Sequence, residues 1–104
     1  MFVSRIREAA RGKGVPVRTV RTTADALAAC RGGARTVIVD LDTPRLPVID
    51  AVTAIAADPA LAAVRVIGFY SHVETERARE ARAAGCGTVL PRSAFVRQLD
   101  ELLG

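Results

Sequence analysis

Two carboxylates, Asp40 and Asp42, follow three β-branched apolar residues in the run Val37-Ile-Val-Asp-Leu-Asp-Thr-Pro44. A buried strand that ends in acids can hold a metal there, accept a phosphoryl group, or only mark where the strand reaches water. Two other strand-like runs end in polar groups. Tyr70, Ser71 and His72 follow the first, and Arg92 with Ser93 follows the second. In open α/β sheets, sites form beyond the carboxyl ends of the strands. Carboxylate, hydroxyl and guanidinium groups are therefore expected to meet in one shallow cleft at that edge.

Other reactive residue types offer less. His72, the only histidine, reads as an exposed loop residue rather than a general base, and Tyr70 as a ring packed over a neighbouring helix. No Ser/His/Asp or Cys/His arrangement is visible, so the chain reads as non-enzymatic. Cys30 and Cys86 form no CxxC pair and no cluster with His72, which leaves a zinc site without ligands. They are read as structural, reduced thiols, because a buried free cysteine behaves as a small hydrophobe. Their expected places, at opposite edges of the sheet, keep them beyond the roughly 7 Å between Cα atoms that a disulfide allows.

Hydrophobic periodicity supplies the elements that must position these groups. Phe2, Val3, Ile6, Ala9 and Ala10 fall on one helical face that Gly12 and Gly14 end. Residues 15–20 (VPVRTV) alternate around Pro16, as an edge strand would. Thr23 can cap a helix over 24–31, and strand 36–41 is apolar on successive residues, as a parallel strand covered on both faces should be. A helix beyond Pro47 turns Ile49, Val52 and Ile55 or Ala56 inward and ends at Asp58-Pro59. Strand 64–70, helix 74–84, strand 88–90 and a helix from Ser93 to residue 103, burying Phe95, Val96, Leu99, Leu102 and Leu103, complete the order. Strict alternation with short connections predicts one α/β domain over residues 1–104: a doubly wound parallel sheet of about four strands with helices on both faces.

With 104 residues, half of them hydrophobic, the chain suits a single domain with a modest core. It lacks the roughly 20 consecutive apolar residues of a membrane span, and its N-terminus reads as a charged amphipathic helix rather than a leader. The expected location is the cytoplasm. Charge is unevenly spread. Residues 1–35 hold eight basic residues against Glu8 and Asp25, a balance of +6, whereas residues 36–104 hold seven arginines against nine acids, or −2. Lacking aromatic stacking residues and a glycine-rich phosphate loop, the basic third is read as a solvated face, with binding of nucleic acid or an acidic ligand as an alternative.

The three strand-end motifs together resemble the receiver domain of bacterial response regulators, the CheY-like family, and the resemblance covers nearly the whole chain. In that family a strand ends in a phosphoacceptor aspartate with a proline four residues later, as Asp40 and Pro44 do. A hydroxyl residue ends the next strand, around Tyr70-Ser71, and a basic residue follows the last, here Arg92. The chain departs from the pattern elsewhere. It begins in what would be the first helix, so no residue matches the acidic pair that binds Mg²⁺ in the family. Bulky Tyr70 stands where Thr or Ser is usual, Arg92 replaces lysine, Ser93 replaces the proline after it, and Val48 takes the place of a glycine.

The resemblance therefore implies a receiver-like signalling or protein-interaction module that is not phosphorylated and needs no cofactor. The alternative is a functional phosphoacceptor of a two-component phosphorelay that uses Asp40, with Asp42, Tyr70, Ser71 and Arg92 in support. Only then would Mg²⁺ be required, with Asp40 and Asp42 as its candidate ligands. In-frame codons upstream of Met1 for an apolar strand ending in Asp or Glu would strengthen that alternative. A protein partner is expected through helices 74–84 and 93–103, a homodimer is a further option, and neither membrane nor nucleic acid is expected as a partner. In the family's strand order the missing strand lies between those matching 15–20 and 36–41. These two are therefore expected to pair directly and close a four-stranded sheet, unless another chain fills the place. Without a metal, Asp40 is expected to be tied to Arg92 or to backbone donors.

Overall fold

The computed structural model describes residues 2–43, 47–71 and 76–103. Its elements run α1 (Phe2–Gly12), α2 (Thr23–Arg31), β1 (Thr36–Asp40), α3 (Val48–Ala57), a 3-10 turn (Pro59–Leu61), β2 (Arg65–Tyr70), α4 (Glu76–Ala84), β3 (Thr88–Pro91) and α5 (Arg92–Leu103). Ends differ from the expected ones by a residue or two. Thr22, not Thr23, caps α2, its hydroxyl accepting from the Asp25 N–H at 3.0 Å. Ser93 lies inside the first turn of α5 instead of capping it.

The sheet is parallel, in the order β1-β2-β3. Val37, Val39, Val66 and Val89 face one layer, formed by α2, α3 and α4, with Val52, Ile55, Ala78 and Ala81 among the residues they meet. Ile38, Ile67, Phe69 and Leu90 face the other layer, where α1 and α5 contribute Ile6, Phe95 and Leu99. Period-two alternation along the strands thus feeds two cores, one on each face. The Phe69 and Phe95 rings stack with centroids 5.0 Å apart, and Phe95 is wholly buried. At the opposite end from the strand-end carboxylates, Arg65 donates to Leu102 O at 2.7 Å and to Thr36 Oγ1 at 3.2 Å, holding the last turn of α5 against β1 and β2.

The expected fourth strand is absent: among the described residues the sheet has three strands, and residues 15–20 pair with none of them. Direct pairing of 15–20 with β1 does not occur. Two features explain why. Pro16 has no N–H to give a ladder, and bonds to α1 hold the segment, from the Val15 N–H to Ala10 O (2.9 Å) and from Arg7 to Thr19 Oγ1 (3.0 Å). Val15 is left 37% exposed, the only large hydrophobic side chain so open among the described residues.

Gly68 sits at the centre of β2, where any side chain would press on its neighbours. A Cβ there would come within 2.9 Å of Leu41 Cδ1 and 3.3 Å of Cys86 Sγ. Leu41 is fully buried, so any shift must be taken up inside the core. Cys30 and Cys86 are free, buried thiols, as expected. Burial pushes both thiols above the ordinary cysteine range, although for Cys86 hydrogen bonds to the backbone pull part of the way back.

Gly68→Ala is expected to lower stability by about 1–3 kcal/mol, as overpacking does, read as a lower urea midpoint at unchanged slope. Both thiols should react slowly with an aromatic disulfide reagent in the native protein and fully after denaturation. A thiol that stays protonated when folded favours the native state below about pH 8.5, where the unfolded thiol ionises, and loses that contribution as pH rises through its higher folded pKa. Urea midpoints measured across that range should fall with pH, and fall less in Cys86→Ala.

Candidate functional site at the strand ends

β1 ends at Asp40, and the next three residues build the site. The Leu41 N–H donates to Phe69 O at 3.0 Å, the last bond of the ladder. The chain then turns. The Asp42 N–H donates to Asp40 Oδ1 at 2.9 Å and the Thr43 N–H to Asp40 O at 3.4 Å, an aspartate-closed turn that short acidic side chains favour. Had the strand continued through Asp42, alternate residues would have shared a face with Leu41 between them pointing away. Leu41 keeps the inward side that Val37 and Val39 share and is buried in the core, and the turn leaves Asp42 exposed above it.

The Asp42 carboxylate spans to the neighbouring strand, where its Oδ2 accepts from the Ser71 N–H at 2.7 Å. Such a charge-assisted bond joins the ends of β1 and β2. Arg77, in the first turn of α4, donates to Thr43 O and so brings the helix onto the same loop. Tyr70 is half-buried and packs against the α2–α3–α4 core, in keeping with a ring used for packing. Arg92 opens α5 as an exposed residue just past Pro91, which is paired with Tyr70. With β2 between them, Asp40 lies level with Phe69 and Leu90, and Arg92 follows two residues past Leu90 on the far strand.

The structure therefore joins Asp40, Asp42 and Ser71, adds Thr43 and Arg77, and places Tyr70 and Arg92 at the border. For Asp40, the backbone donor is the partner observed, one of the two that were expected. Pro44 and His72 lie outside the described residues. Arg77 was not singled out by sequence, where it merged with Arg79 and Arg82. Helical spacing held a signal, since Arg77 lies four residues before the buried Ala81 and so leans toward the sheet.

Mg²⁺ favours octahedral oxygen coordination, from one or two carboxylates completed by water or substrate oxygens. Here Asp40 and Asp42 each have one oxygen committed to a backbone N–H. Among the described residues, no three His, Cys, Asp or Glu side chains gather.

No protein-family model matches the sequence, and no curated protein does. Among solved structures, the chain matches the crystal structure of the phosphorylated cyanobacterial phytochrome response regulator RcpA, with a TM-score of 0.69 at 22% identity, over 97% of this chain and 79% of that one. The fold is that of a response-regulator receiver domain, CheY-like and flavodoxin-like in layering, with three strands here. Among the described residues, no helix is long and apolar enough to cross a membrane.

Replacing Asp42 by Ala should cost about 0.5–1.5 kcal/mol, the net worth of one such hydrogen bond at an exposed site, and should speed hydrogen exchange at the Ser71 amide. Asp42→Asn keeps an acceptor oxygen and should retain most of the protection. Equal exchange in the wild type and Asp42→Ala would show that this carboxylate does not join the strands.

Proposed function

We propose that residues 1–104 act as one non-enzymatic receiver-like domain, a cytoplasmic signalling or protein-interaction module whose strand-end carboxylates hold a fixed structure instead of accepting a phosphoryl group. The supporting observation is how those carboxylates are used: Asp40 closes its own turn, and Asp42 binds the Ser71 backbone. A phosphoryl group on Asp40 adds negative charge to oxygens that already carry it, and needs a cation to offset it. Arg77, the cation that reaches this loop, is engaged with the Thr43 carbonyl, so it does not stand ready for that task.

Protein contact suits α4 and α5. α4 buries only Ala78 and Ala81 and leaves Glu76, Arg79 and Glu80 in solvent, and α5 exposes Ser93, Arg97, Asp100 and Glu101. Both signs of charge alternate there, a pattern that selects a protein of complementary charge order over a nucleic acid. A homodimer through the same helices is the self-complementary case.

The phosphoacceptor reading keeps one support, the position of Asp40 at the carboxyl edge of a receiver fold. Incubation with acetyl phosphate and Mg²⁺, followed by intact-mass measurement, separates the two. The fixed-structure reading expects no adduct in the wild type. A mass gain of one phosphate that disappears in Asp40→Asn would sink it and restore Asp40 as the phosphoacceptor.

A further inference from the structure

Among the described residues, no strand pairs with the outer edge of β1. Successive residues of a parallel strand turn their N–H and C=O groups to opposite sides. The bonds from the Arg65 N–H to Arg35 O and from the Leu41 N–H to Phe69 O fix the phase, with odd-numbered residues facing β2. Thr36, Ile38 and Asp40 thus present their backbone groups outward. Among the described residues, no backbone group meets the N–H or C=O of Thr36 or Ile38. The run Thr36-Val-Ile-Val39 carries no proline and no charge, so it lacks the devices that commonly protect an edge from pairing.

This edge is not a bare ribbon. Val37 and Val39 belong to the α2–α3–α4 layer and Ile38 to the α1–α5 layer, so an added strand would lie beside residues packed on both faces. Such a place selects an extended segment with a short run of apolar residues. Charge narrows the choice further. α1, whose Ile6 shares a core with Ile38, also carries Arg7 and Arg11, which line an open groove of about 400 Å³ with Val15, Pro16 and Val17. The surrounding first 35 residues are net +6. A second copy paired edge to edge would bring two such regions together, and like charges across an interface cost affinity.

We propose that the open edge of β1 takes up an extended segment of another polypeptide as an added β-strand, one with a short apolar run flanked by carboxylates that meet Arg7 and Arg11. Main-chain hydrogen bonds to Thr36 and Ile38 hold the segment, and its apolar side chains and acids give selectivity. The proposal rests on the interaction-module reading for the idea of a protein partner, but it uses a surface apart from α4 and α5. Its failure would leave the phosphodonor result unchanged.

The test uses a fluorescein-labelled peptide, Asp-Glu-Val-Val-Ile-Val-Glu-Asp, read by anisotropy and by amide shifts of the isotope-labelled protein. Saturable binding that weakens with salt and shifts the Thr36 and Ile38 amides is expected. A version with proline at the centre, and one with lysine for each acid, should bind at least about tenfold more weakly, as should Arg11→Glu with the original peptide. The proposal is overturned by no binding, by equal binding of the lysine or proline peptide, or by shifts confined to α4 and α5. Displacement of the peptide by a short single-stranded DNA that leaves Thr36 and Ile38 unshifted would overturn it in favour of nucleic acid. A concentration-dependent dimer that protects the same two amides would assign the edge to a second copy.

Discussion

The arrangement depends on how the chain leaves β1. Leu41 turns inward and closes on Gly68, an approach that a side chain at that position on β2 would disturb. Because Leu41 goes down, the flanking Asp40 and Asp42 remain at the surface, where one closes the turn and the other reaches the start of the loop after β2. A packing constraint in the core thereby fixes an electrostatic arrangement at the edge. The site is as rigid as the buried contact beneath it.

That rigidity bears on signalling. A switch needs two arrangements of similar free energy, which a ligand or modification can bias. Here the strand-end loop is tied from three directions: its own turn, the Ser71 backbone and Arg77 of α4. Each bond is modest, but together they act on adjacent residues. A modification at Asp40 would have to compete with all three before α4 could move.

The opposite condition holds along the outer side of β1. Helical layers cover both faces of the strand and supply its apolar burial, yet the N–H and C=O groups of Thr36 and Ile38 on that side meet no backbone partner among the described residues. Burial and backbone pairing, usually satisfied together in a sheet, are separated here. The basic residues of the first third, which in sequence read as a solvated face, include two that line the groove beside α1. The fold is thus tied at its strand ends and, among the described residues, open along the outer side of β1.

Sequence by itself determined the helices, the three strands and their faces, because two- and 3.6-residue periodicity records directly which side chains meet a core. It also placed Asp40, Asp42, Ser71 and Arg92 at the carboxyl edge, since a strictly alternating α/β order leaves parallel strands pointing one way. Residues 15–20 carried the same alternation but formed no strand, because a ladder needs a neighbour with free backbone groups and local pattern cannot supply one. A spacing of two puts both aspartates on the same side of an extended strand, but that Asp40 would close a turn while Asp42 reached the Ser71 backbone, 29 positions on, was decided only by the tertiary structure. Arg77 entered the site only when α4 docked on β2, for the direction of a long side chain is set by the packing of its helix and not by its neighbours in sequence.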